Sequence, residues 1–355
     1  MNCGNQSKFS DYYPILENVT SIEAVVGLAL CIFHHLVLLR LSVCHKMKGF
    51  ALQLALSVFG ILGLLFYLSV SAYDFNYVPH SGLYLKYRAY ACWWLTNGFM
   101  SAYGYVIVAM CIDRYIALAS NMYQSRPGSR KIAHALMICA STVIGFACAT
   151  KWINHYTDDP ANNGTAGVVC ENTNRTQATE HIAWKTVSTI LQYYLSATVM
   201  VVTTVLILLR LHALNRKYST SLPLAGICRR KRLQDQLLTV KLCVALVIMF
   251  CVTNLPISIA EYLTTDQRLE SDAFVLFLLF TNVLQIASVE VNLFLYACFS
   301  EVYRTMLLRI VCCRQTKGNN SESTKPSLVT VPTRTSSTAQ LLNLVFPFPI
   351  TNPAR

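Results

Sequence analysis

Charge is scarce in this chain. Only 13% of its 355 residues are Asp, Glu, Lys or Arg, while 54% are hydrophobic; a soluble domain carries about a quarter charged. Metal-binding spacings such as a paired Cys-x-x-Cys or a His-Glu-x-x-His are missing, and so is any visible Ser/His/Asp grouping. No metal, cofactor or enzymatic activity is expected. Internal repeats and paired Gly/Pro-broken helices, which a transporter or channel would show, do not occur. The N-terminus lacks the charged-then-apolar pattern of a cleaved leader, so the first apolar run is expected to act as the insertion signal.

What the chain has instead is long apolar runs. A membrane span needs about 20 residues at 1.5 Å rise to cross about 30 Å of hydrocarbon. Seven runs qualify: Ile22–Val43, Phe50–Tyr73, Ala89–Leu118, Ile132–Ile153, Val187–Leu211, Leu238–Leu263 and Ala273–Cys298. Isolated polar residues inside them, His34, His35, Asn97, Asn254, Asn282 and Glu290, argue for a bundle with a polar interior. Glu290 is read as the one carboxylate inside a span. The expected fold is an all-α membrane protein, a seven-transmembrane helix bundle (22–300) between an N-terminal segment (1–21) and a short amphipathic helix (301–315). Residues 316–355 have the composition of a disordered tail.

Lys and Arg set the orientation. With the N-terminus outside, inner loops and tail hold 22 of the 29 basic residues, and outer segments hold 12 of the 17 acids. The net charge of +12 is then a topology signature and not a sign of nucleic-acid binding. Glycosylation triplets at Asn5, Asn18, Asn163 and Asn174 fall on the outer side, and one at Asn319 falls on the inner. Most of the 14 cysteines lie within spans, as small apolar residues. Cys92 and Cys170 face an oxidising compartment, and a bridge between them is expected to pin the second outer loop. Cys312 and Cys313 follow the amphipathic stretch Glu301–Val311, with Arg304, Arg309 and Arg314 nearby. That helix is expected on the inner leaflet, with the pair either palmitoylated or left as thiols.

Asp113-Arg114-Tyr115 closes the third run. An arginine at mid-membrane costs at least about 2.5–3.5 kcal/mol. At a helix end beside an acid it serves either as a charged lever at the cytosolic rim or as a snorkelling anchor. With Asn292-Leu293-Phe294-Leu295-Tyr296 in the seventh run and Phe250 with Pro256 in the sixth, the chain resembles a rhodopsin-like (class A) G-protein-coupled receptor over about residues 20–315. The resemblance implies a plasma-membrane receptor in which an extracellular ligand, or basal activity, drives heterotrimeric G proteins through Arg114. Asp113 would pair with Arg114 at rest, Pro256 would kink the sixth helix, and Tyr296 would turn inward on activation. The Ser/Thr cluster from Ser321 to Thr338 resembles a tail for receptor kinases and arrestin.

Several positions depart from the family's pattern. His34 replaces the asparagine of span one, and Val58 the sodium-binding aspartate of span two. Asn254 replaces the tryptophan before Pro256, and Leu293 the proline of span seven. Cys92 lies 22 residues before Arg114, about a turn closer than usual, and Ala89 holds the expected place. A family-type sodium site is not expected, and basal signalling is expected to be raised or the switch to run differently. Glu290 reads either as a protonated acid hydrogen-bonded in the bundle or as a stand-in for the missing aspartate. Counting turns from Arg114, Pro256 and Asn292 places Thr96, Asn97, Met100, Asn254, Ser258, Glu261, Asn282 and Gln285 toward a ligand pocket. The amine-binding aspartate is replaced by Thr96, which disfavours monoamines. The basic run Arg229–Arg232 ends the third inner loop and faces lipid or the G protein. A receptor-like protein that no longer signals, acting as a scavenger or dimer partner, is the alternative reading.

Overall fold

The computed structural model describes residues 9–45, 50–74, 87, 91–119, 127–152, 156–158, 169–171, 179–219, 226–263 and 271–311. An apolar run in hydrocarbon has no water for its N–H and C=O groups, so it satisfies them internally as a helix. The elements are α1 (Phe9–His45), α2 (Phe50–Asp74), α3 (Trp93–Ala119), α4 (Pro127–Ala149), β1 (Tyr156–Asp158), β2 (Val169–Glu171), α5 (Thr179–Thr189), α6 (Ser196–Ser219), α7 (Gly226–Leu263), α8 (Asp272–Phe299) and α9 (Glu301–Val311). A π-helical turn, Ile190–Leu195, joins α5 to α6 into a single span.

Seven helices are long and apolar enough to cross a membrane, which makes this a multi-pass membrane protein with the expected bundle. Boundaries shift by a few residues. The first span opens at Asn18, not Ile22, and the fourth runs Gly128–Ala149, about a turn earlier than read. Glu23 lies inside the first span on either boundary, so Glu290 is not the lone carboxylate of the bundle. The fold is not wholly helical: β1 and β2 pair antiparallel, with Thr157 opposite Cys170. The run Arg229–Arg232 lies within the opening turns of α7 and not in a loop. That helix has 38 residues, and only Val240–Ala260 forms its membrane window.

α3 is the central post. Its window is 67% buried, against 22–44% for the other six. Small residues let its neighbours close in. A Cβ on Gly145 of α4 would lie 2.5 Å from the Ala102 backbone nitrogen and 2.8 Å from its Cα. Farther from the Asp113 end, the Trp94 indole donates to the Phe146 carbonyl at 3.3 Å. Helices without a hydrophobic drive between them associate through such close packing and hydrogen bonds.

The turn from α8 into α9 is written locally. Ser300 is extended (φ −116°, ψ 109°), which ends α8. Its Oγ then accepts the Tyr303 N–H at 3.2 Å and caps α9. Glu301 adds a favourable acid in the first turn. One face of α9, Tyr303 with Met306, is buried.

Gly145→Ala is expected to destabilise the bundle, because backbone atoms of α3 cannot swivel aside as a side chain would; overpacking of this kind costs about 1–3 kcal/mol. The thermal midpoint of the purified protein should fall. Gly128→Ala, whose added Cβ would meet nothing within 4 Å, should leave it in place.

Candidate functional site

Polar groups inside the bundle form three layers along α3. The layer farthest from Asp113 is a narrow cleft. Met100, Ser101, Tyr103 and Gly104 of α3 form one wall. Gln192 and Tyr193 of the π turn, Phe250 and Asn254 of α7, and Gln285 and Ser288 of α8 form the rest. None of these side chains is charged. Ser101 Oγ and Gln192 Oε1 are buried without a hydrogen-bond partner among the described residues. Gly104 lets Phe250 lie against α3, since a Cβ there would sit 3.0 Å from the ring.

Of the residues expected in the pocket, Met100, Asn254 and Gln285 line the cleft. Thr96 is buried a turn beyond it. Asn97 and Ser258 lie off it, each tied to a carbonyl of its own helix: Asn97 to Trp93 at 2.9 Å and Ser258 to Leu255 at 2.7 Å. Asn282 is half-buried and does not line it, and the Glu261 side chain lies outside the described residues. Gln192 and Tyr193 were missed because turns were counted only from Arg114, Pro256 and Asn292, none of which lies in this span.

The middle layer ties α3 to α8. Asn292 Nδ2 donates to Tyr103 Oη at 2.5 Å, and that hydroxyl donates to the Ser288 carbonyl at 3.1 Å. Both side chains are buried. Val58 does not face this layer; it is 37% exposed on the outside of α2. Gly60 faces inward in its stead, and a Cβ there would meet Val289 at 2.6 Å and the Tyr103 ring at 3.8 Å. Reading Val58 as the aspartate's counterpart was thus a phase error along α2. Glu290 faces α1, where it closes on Gly27. Glu23 lies one turn from Gly27 on the same helix face, and Glu23 Oε2 and Glu290 Oε1 both lack a hydrogen-bond partner among the described residues.

At the Asp113 end the acid is 1% exposed, and basic side chains surround it. His134 Nε2 lies 2.8 Å from Oδ1, and Arg130 Nη2 donates to Oδ2 at 3.1 Å. Both come from α4, four residues apart and therefore on one face. Arg114 Nε reaches the same Oδ2 only at 3.8 Å and has no hydrogen-bond partner. The expected resting pair is present only as this loose contact. Arg114 is instead within electrostatic range of Cys243 on α7 and Tyr296 on α8. Tyr115 is half-buried beside it.

His34, read as a departure, has a structural role. It shares a hydrogen bond of 2.7 Å with the Tyr303 hydroxyl, and its ring packs 5.1 Å from that of Tyr296. Tyr296 and Tyr303 are 5.6 Å apart. Burial pushes the Tyr303 phenol above its ordinary value, so it keeps its proton. The Tyr296 hydroxyl is buried without a hydrogen-bond partner among the described residues.

Cys92 is a buried thiol, 2.9 Å from Ser69 Oγ and 3.4 Å from the Phe66 carbonyl. The Cys170 side chain, on which the expected bridge depends, lies outside the described residues. Asn18 is exposed but already helical at the head of the first span. Asn5, Asn163, Asn174, Cys312 and Cys313 lie outside the described residues. Among the described residues no group of three or more His, Cys, Asp or Glu side chains is placed to hold a metal.

Residues 31–296 match the model of the family described as 7 transmembrane receptor (rhodopsin family). No curated protein matches the sequence.

Tyr103→Phe removes the hydroxyl that joins α3 to α8. It leaves a buried Asn292 amide donor unpaired, a cost of about 1–3 kcal/mol. Thermal unfolding should show a lower midpoint for Tyr103→Phe. It should show none for Tyr262→Phe, whose ring is 71% exposed.

Proposed function

The chain belongs to the rhodopsin family of seven-transmembrane receptors, and on that footing we propose that it passes an extracellular signal to heterotrimeric G proteins through Arg114. The observation that carries the reading is the state of that arginine. It sits at the end of the most buried span, 19% exposed, with its nearest acid at 3.8 Å and its Nε unpaired. A guanidinium so placed is ready to accept carbonyls or a carboxylate from an incoming helix.

In this reading the N-terminus is extracellular and the Asp113 end faces the cytosol of the plasma membrane, as the Lys and Arg bias supports. The cleft takes the ligand. Its uncharged wall and its two unpartnered groups, Ser101 Oγ and Gln192 Oε1, suit a neutral ligand with hydrogen-bond donors. A ligand pressing on Phe250 and Asn254 would bear on α7 next to Pro256, where the missing N–H weakens the helix. Outward movement of the Asp113 end of α7 would then uncover Arg114. The ligand shifts this equilibrium only by its difference in affinity for the two states. The tail, with its Ser/Thr cluster, would take receptor kinases and arrestin. Acylation of Cys312 and Cys313 would hold α9 on the inner leaflet, and Asn5, Asn18, Asn163 and Asn174 would carry glycans.

Recruitment of a G protein to the full-length receptor, compared with Arg114→Glu at equal surface amounts, checks the reading. Arg114→Glu should abolish recruitment, because a reversed charge repels the carbonyls or carboxylate that the arginine would meet. Equal signals from the two would leave the scavenger or dimer-partner reading in its place.

A further inference from the structure

The π turn Ile190–Leu195 brings Gln192 and Tyr193 to the cleft, yet its own span does not call for it. Residues 182–214 contain neither Pro nor Gly, the common local causes of a break in a long helix. Side chains bonded into the turn supply the cause instead.

Two hydroxyls meet on one backbone oxygen of the turn. Tyr105 Oη of α3 donates to the Leu191 carbonyl at 3.0 Å. Ser196 Oγ donates to the same carbonyl at 3.3 Å. In a regular α-helix that carbonyl would take the Leu195 N–H, four residues on. The Tyr105 hydroxyl also lies 3.8 Å from Cys148 Sγ on α4. At the head of the turn, Lys151 donates from Nζ to Thr189 Oγ1 at 3.3 Å, out of the short 3-10 turn Thr150–Trp152 that follows α4. The distorted segment is therefore bonded from the α3–α4 side, the seam that Gly145 closes tightly.

The turn sets direction. A π turn bonds residue i to i+5 and so carries one residue more than an α turn. One residue is about 100° of rotation about the helix axis. Gln192 is 7% exposed, and its Oε1 has no hydrogen-bond partner among the described residues. A rotation of that size would take it off the wall that it shares with Ser101.

We infer that Tyr105, with Ser196, is a positioning residue for the ligand cleft: the two hydroxyls hold the Leu191 carbonyl, keep the span in its π turn and so aim Gln192 at the ligand. The last step rests on the ligand reading of the cleft proposed above. Without the hydroxyls, the Leu191 carbonyl would regain a partner by taking the Leu195 N–H, because a backbone acceptor inside the membrane must be satisfied within the protein. The turn would rewind to α, and Gln192 would leave the cleft while the span stayed helical.

Two measurements test this, and the first needs neither ligand nor G protein. Cryo-electron microscopy of the full-length receptor should show the π turn in wild type. It should also show it in Thr198→Ala, which removes an ordinary bond from Thr198 to the Tyr194 carbonyl. In Tyr105→Phe/Ser196→Ala the same segment should be regular α-helix, with Gln192 turned away from Ser101. An unchanged π turn in that double variant would overturn the inference. The second measurement reads the cleft from outside. On intact cells, Gln192→Cys should react with a small water-soluble methanethiosulfonate above the level of the unsubstituted receptor. Adding Tyr105→Phe/Ser196→Ala should abolish that reaction, and equal reaction in both backgrounds would also overturn the inference. If Gln192→Cys fails to react with Tyr105 in place, the ligand reading of the cleft fails, and the structures still decide whether Tyr105 and Ser196 set the turn.

Discussion

A carboxylate with 1% of its side chain exposed, at the end of a membrane-spanning helix, must be matched by cations or given up as a charge. Much at this end of the bundle follows from which helix supplies them. Because α4 provides Arg130 and His134, Asp113 belongs to the α3–α4 seam. Arg114, one residue on, is left to the α7–α8 side.

The seam that carries this cluster is rigid for a different reason. Close approach at Gly145 and Ala102 and the Trp94–Phe146 hydrogen bond need only small residues and one indole. The α7 side is built the other way. Phe250 rests on Gly104, and Pro256 interrupts the backbone hydrogen bonds a turn and a half on. One side of α3 is packed against movement and the other is able to move. Tyr103 with Asn292, and His34 with Tyr296 and Tyr303, anchor α8 and α9 to the fixed side.

The interior positions show how far reading along the chain reaches. Met100 on α3, Asn254 on α7 and Gln285 on α8 line the cleft, while Thr96, Asn97, Ser258 and Asn282, reached by the same turn-counting, do not. Val58 faces outward, because α2 turns Gly60 inward to meet Val289. Gln192 and Tyr193 enter through a π turn that has no sequence signature of its own. Glu23 was counted with the outer acids although the first apolar run, Ile22–Val43, already contained it. Cys92 packs against α2, with its Sγ near Ser69 and the Phe66 carbonyl, a contact that compartment chemistry does not give.

The sequence by itself determined the class of molecule. Seven long apolar runs must become helices in a bilayer, since backbone groups there have no other partners. The local grammar of Ser300-Glu301 likewise ends one helix and begins the next. Tertiary structure alone decided the partners of each buried polar group. Asp113 and Arg130 are 17 residues apart, His34 and Tyr303 are 269 apart, and Tyr103 and Asn292 are 189 apart. A helix fixes which of its residues share a face, but which face meets which neighbour depends on the packing of all seven. For that reason the identity of Arg114 could be read from the chain, while its release from Asp113 could be read only from α4.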